Sequence, residues 1–146
     1  MATRIIRTYE DEILRKKCKP VGEINERIIT LLDDMAETMY AANGVGLAAP
    51  QVGTLRRIVV IDVGNGLIEL INPVILESSG IQQANEGCLS VPGKQGMVTR
   101  PDHVRVEALD RDGEKFIMEG DGLLARAFCH EIDPVSYTHL RAHETR

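Results

Sequence analysis

The chain has 146 residues, 43% apolar and 27% charged, which is the balance of one globular domain with a core and not of a disordered segment. A formal net charge of −5 and an aromatic content of 3%, with Lys and Arg scattered, argue against direct nucleic-acid binding, which calls for a basic track and stacking rings. No apolar run approaches the roughly 18–20 residues that span a bilayer, the opening MATRIIRTYEDE lacks the apolar core of a secretory signal, and Cys18, Cys88 and Cys129 suggest a reducing cytoplasm over a disulfide framework.

In residues 24–40, Ile24, Ile28, Leu31, Leu32, Met35 and Met39 recur at helical spacing, with Asn25, Glu26, Asp33, Asp34 and Glu37 opposite, so an amphipathic helix is expected. Asn43-Gly44 should end it. The pattern then becomes β-like. RIVVID (57–62) reads as a strand, and 67–72 and 74–77 read as two strand pieces flanking Pro73, which belongs at a bend or edge. HVRVEALD (103–110) alternates as a half-buried strand. DRDG (110–113) turns the chain and KFIME (115–119) returns antiparallel. GLLARAFCHEID (122–133) reads as a second helix, ending at Asp133 because Pro134 follows. Helix, short antiparallel strands, helix: the fold class is α+β.

Three stretches carry candidate chemistry. GVGLAAPQ (44–51) contains G-x-G-x-x-A, and Asp62 lies downstream as a ribose acid would. A dinucleotide site, however, needs a strand entering the loop and a helix leaving it. Here a helix enters, and Pro50 disfavours a helical Ala49. The better reading is a loop whose small residues, Gly44, Gly46, Ala48 and Ala49, let backbone approach a ligand, with Gln51 adding a neutral amide; tight turn packing alone is the bland alternative. NEGCLSVPG (85–93) places Cys88 among turn residues. A lone cysteine is most often a small buried hydrophobe, yet as a thiolate it is a strong zinc or iron ligand. HEID (130–133) opens like a metal-binding helix, but the i+4 position that would bring a second histidine to the same face is Pro134.

Taken together, the chain resembles the peptide deformylase family, whose signatures are a G-x-G-x-A-A-x-Q loop, an E-G-C-x-S segment and H-E-x-x-H on the last helix. The first is complete at 44–51, the second at 86–90, and the third is half present at His130 and Glu131, over a resemblance from about residue 3 through Asp133. It implies an N-terminal helix, antiparallel sheets and a C-terminal metal-ligand helix within residues 1–134. It also implies hydrolysis of the N-terminal formyl group of formyl-methionyl nascent polypeptides, in a bacterial-type cytoplasm and at the ribosome, with Fe(II) as the metal and zinc, nickel or cobalt as substitutes. Under it Cys88 and His130 are metal ligands, Glu131 is the general base, and the Gln51 amide and the Leu89 N–H stabilise the oxyanion. Backbone at Val45, Gly46, Glu86 and Gly87 would pair with the substrate as a strand does. Leu123, Arg126 and Ala127 lie seven, four and three residues before His130, on its helical face. Val45, Leu123 and Ala127 are the candidates for the methionine slot, and Arg126 is either beside it or a solvated charge.

The departure is Pro134, which has no metal-binding atom. The tail VSYTHLRAHETR (135–146) is polar, has no helical stripe and resembles nothing in the family. It reads as a non-native or disordered addition, although His139 or His143 returning as a ligand is a competing reading. Impaired metal binding and turnover are expected, and the alternative is a catalytically inactive peptide-binding domain on the same scaffold.

Overall fold

The computed structural model describes the backbone of residues 2–7, 18–88 and 91–136, and their side chains apart from 85–96 and 133–136. The first helix, α1 (Glu26–Ala41), starts at Asn25, whose side chain accepts the Ile28 amide at 3.2 Å. That bond satisfies one of the donors an open helix end leaves over. Ile24, counted into the helix by its spacing, lies before the cap and still packs on the core. At the far end Asn43 has a φ of 57° and the Gly44 N–H returns to the Met39 carbonyl at 2.9 Å, so the Asn-Gly pair stops the helix as expected.

Among the described residues seven strands follow: β1 (Gly46–Ala48), β2 (Ile58–Ile61), β3 (Ile68–Ser79), β4 (Gln82–Cys88), β5 (Val91–Arg100), β6 (His103–Leu109) and β7 (Lys115–Asp121). Five form an antiparallel sheet in the order β1-β2-β3-β6-β7, and β4 and β5 pair with each other in a separate two-stranded sheet. The class is α+β, as read. Where two pieces split by Pro73 were expected, β3 is one strand of 12 residues. The proline is absorbed in a register shift between Ile71 and Val74, since a bulge needs no ladder donor there. Beside it Asn72 adopts a φ of 53°, a region asparagine tolerates. Its amide exchanges two bonds with the Val21 backbone, at 2.7 and 2.8 Å.

The last helix, α2 (Gly122–Ser136), continues three residues beyond the expected stop at Asp133 and passes through Pro134. A proline inside a helix removes one backbone bond and crowds the preceding turn. Here the helix is kept through it, with Val135 and Ser136 still helical.

The sheet is covered on both sides. Leu31, Leu32, Met35 and Met39 of α1 pack with Leu47, Ile58, Val60 and Ile71 on one face. Ala125, Phe128, Cys129 and Ile132 of α2 pack with Ala48, Val59, Ile61, Leu70, Val104 and Val106 on the other. That is the period-2 alternation of a strand read out on two layers, and it explains why IVVI (58–61) is apolar throughout. Arg111, in the β6–β7 turn, fastens the layers from outside. It bonds Glu69 of β3 at 2.5 and 2.8 Å and Asp33 of α1 at 2.9 Å, and these two carboxylates raise its pKa above the ordinary arginine value. Among the described residues no helix is long and apolar enough to cross a membrane.

Phe128 is among the largest fully buried side chains and fills the seam between α2 and the sheet. Phe128→Ala should lower the unfolding free energy by about 3–5 kcal/mol, read from the urea midpoint. A loss below about 1 kcal/mol would show that α2 is not seated on the sheet as described.

Candidate active site

The site is built where α2 crosses β1. Gly46 opens β1 and has almost no room above it: a Cβ there would lie 2.8 Å from Cγ and 2.9 Å from Oε2 of Glu131. Real Cβ atoms do not come this close, so glycine at 46 is what lets the Glu131 side chain lie against the strand. The close approach at Gly46 is made by a carboxylate of the chain itself. His130 precedes Glu131 on α2, and its Nε2 stands 3.9 Å from Glu131 Oε2. Both residues are buried, at 9% and 6% exposure.

At the other end of β1 the chain makes a single 3-10 turn (Ala49–Val52), closed by Gly53 at a φ of 86°. Ala49 is therefore helical in spite of Pro50. The turn has only four residues, and a proline near a helix start gives up an N–H that would have no partner in any case. The entering element is also a strand of three residues and not the end of α1 alone, but no α-helix leaves the turn, so the dinucleotide reading fails for want of an N-terminus to hold pyrophosphate. Ala48 and Ala49 are fully buried and point into the two core layers. Their small size serves packing and not ligand approach.

Gln51 sits in that turn at 1% exposure. Its Oε1 accepts the Ala48 N–H at 2.9 Å. Because a backbone N–H can only donate, this bond fixes which way the amide faces and commits the NH2 end to the opposite side. The geometry thus holds an oriented donor at one end of β1 and a buried carboxylate beside an imidazole at the other. β1 is an edge strand of the five-stranded sheet.

The other expected site residues are placed less closely. Val45 and Leu123 are 46% and 45% exposed, whereas Ala127 is buried at 6% in the layer between α2 and the sheet. Glu86, Gly87 and Cys88 are the last three residues of β4, opposite Gly96, Gln95 and Val91, with a register shift between Gly87 and Cys88. The side chains of Glu86 and Cys88, and the whole of Leu89, lie outside the described residues, as do the side chain of Pro134 and residues 137–146 with His139 and His143. Arg126 is not a free surface charge, since its Nη2 and Nε donate to Gln82 Oε1 at 2.9 and 3.3 Å. Gln82 itself was not singled out from the sequence; a lone amide in a polar stretch carries no signal.

A catalytic metal site of this kind uses three protein ligands. His130 offers nitrogen, and Cys88 is a residue type that offers sulfur. Because α2 stays helical through Ser136, position 134 is one turn beyond His130 on the same face, and a proline there has nothing to give. Among the described residues no group of three His, Cys, Asp or Glu is placed to hold an ion.

The family model described as polypeptide deformylase matches residues 3–139. A peptide deformylase of Acetivibrio thermocellus is 68% identical over 133 residues, covering 91% of this chain and 78% of that protein. One of Agathobacter rectalis is 57% identical over 143 residues, covering 98% and 87%. The crystal structure of the peptide deformylase from Thermotoga maritima superposes with a TM-score of 0.90 at 42% identity, covering 93% of each chain. A glutamate lying over a glycine-opened edge strand, with an oriented glutamine at that strand's other end, therefore sits within a fold and a sequence shared along nearly the whole chain, and the chain belongs to the polypeptide deformylase family.

Proposed function

We propose that this chain acts on formyl-methionyl nascent peptides, removing the formyl group as formate, and that Pro134 holds its turnover low. The observation that supports it most is the packing of Glu131 against Gly46 beside His130, which confines a proton acceptor to one spot on an edge strand. Family membership implies a divalent ion, Fe(II) with zinc, nickel or cobalt as substitutes, that activates water. Cys88 and His130 are the residues that would hold it, in the cytoplasm where nascent chains leave the ribosome.

The chain's own residues have four tasks. Backbone at Val45–Gly46 on β1 and at Glu86–Gly87 on β4 pairs with the peptide backbone as strands do, which gives affinity without demanding a sequence. Val45, Leu123 and Ala127 receive the methionine side chain. The NH2 of Gln51, oriented by the bond its amide oxygen accepts from Ala48, donates to the formyl oxygen as negative charge builds there, joined by the Leu89 N–H. Glu131 takes the proton of the attacking water and returns it to the amine as the C–N bond breaks. One water is consumed: its oxygen ends in formate and both its protons on the freed amine, which leaves as an ammonium.

A second reading, a catalytically silent domain that still binds formyl-methionyl peptides, is favoured by the same proline. The two separate on metal. After anaerobic purification with Fe(II) or Ni(II), Pro134→His should hold metal at least about 10–100-fold more tightly and release formate from a formyl-methionyl tripeptide faster than the unaltered chain. Equal and high turnover in both would show that the proline is harmless. Bound peptide with no formate from either would support the silent domain.

In the Pro134→His background, Glu131→Gln should lower kcat by about 10²–10⁴-fold and Gln51→Ala by about 10²–10³-fold, or about 2.7–4 kcal/mol of barrier. Gly46→Ala should lower it as well by displacing Glu131. Unchanged kcat in Glu131→Gln would remove this residue from the reaction.

A further inference from the structure

Among the described residues the β4–β5 hairpin has no strand ladder to the five-stranded sheet, and a two-stranded sheet alone is marginal in water. Its place over the rest of the molecule must therefore be fixed by something other than the ladder. Gln82, the first residue of β4, has the chemistry for this. Its Nε2 donates to the carbonyl of Pro101, in the connection leaving β5, at 3.0 Å. The same Nε2 donates to the carbonyl of Gly122, the first residue of α2, at 2.8 Å. Its Oε1 accepts from Arg126, one turn further along α2, at 2.9 and 3.3 Å. Both amide hydrogens and the amide oxygen are engaged, so the group is held in one orientation. Two of the three partners belong to the helix that carries His130 and Glu131, and Arg126 lies four residues before His130 on the same face.

We propose that the Gln82–Arg126 link is a positioning device that sets the hairpin against α2, and so sets the peptide-pairing segment Glu86–Gly87 against His130 and Glu131. This deepens the deformylase reading and rests on it. Both residues act through the placement of β4. The link joins an uncharged amide to a guanidinium whose fork reaches the amide oxygen through two nitrogens. A lysine at 126 would reach it as a single point donor and hold the hairpin less firmly. A glutamate at 82 would keep the attraction to Arg126 but lose both donors, turning a carboxylate towards the carbonyls of Pro101 and Gly122.

The test uses Gln82→Leu, Gln82→Glu, Arg126→Leu, Arg126→Lys and the Gln82→Leu/Arg126→Leu pair, each in the Pro134→His chain. Backbone amide exchange is read beside the kinetics of a formyl-methionyl tripeptide. The expected result is faster exchange confined to β4 and β5, with α1 and β2 unchanged. With it kcat/KM should fall by about 10–100-fold, as sub-ångström to ångström misplacement near a reaction does, while the urea midpoint moves little. Arg126→Lys should recover part of the loss, Gln82→Glu should not, and the double variant should be no worse than the worse single one. Unchanged hairpin exchange, unchanged kcat/KM, or additive losses that track global stability would each overturn the proposal. If Pro134→His itself shows no turnover, the deformylase reading has failed. The exchange data then still decide the link, and unchanged hairpin exchange overturns it.

Discussion

Everything in the site depends on how closely α2 can lie on β1. That approach is allowed at one point, Gly46, where any side chain would strike Glu131. It is driven by the apolar seam of Phe128, Ile132 and Ala125 against Val59, Ile61 and Val106. The energy for burying a carboxylate beside an imidazole comes from this packing, since an ionised group taken out of water is costly by itself. The chemistry is therefore a by-product of a helix–sheet interface that would form in any case, sharpened by one missing Cβ. Gln51 belongs to the same arrangement: the short turn that closes β1 uses its amide oxygen to satisfy the Ala48 N–H, and the donor end is oriented as a consequence.

The parts of the fold with strong local periodicity were legible in the sequence. The helical spacing of Ile28, Leu31, Leu32, Met35 and Met39 and the alternation of Val104, Val106 and Ala108 each report burial on one face, and burial is what a period records. Hairpin β4–β5 was not legible. Its residues, such as Gln82, Gln83, Asn85, Gly93 and Lys94, are poor strand formers, and its register comes from pairing that no window of sequence contains. Ala48 and Ala49 were misread for a related reason, because small residues look alike whether they make room for a ligand or for a neighbouring strand. The site residues were named by motif order, while the Gly46–Glu131 contact that joins two of the motifs was invisible until helix and strand were placed together.

Pro134 separates backbone from chemistry. The helix continues to Ser136, so the position one turn after His130 is delivered to the expected face and holds no donor. A broken helix would have lost the metal site and the packing of Ile132 together. Here the scaffold that presents His130, Glu131 and Gln51 is kept although the position one turn after His130 carries a proline.

The central claim is that Cys88, at the end of β4, and His130, on α2, serve one ion next to Glu131. Cobalt(II) titration of the Pro134→His chain tests it directly, because thiolate bound to cobalt gives a charge-transfer absorption that oxygen and nitrogen ligands do not. The account predicts that this band appears at one equivalent and is abolished by either Cys88→Ser or His130→Ala. A band that persists without His130, or none in the intact chain, would mean that the hairpin and the helix do not share a metal.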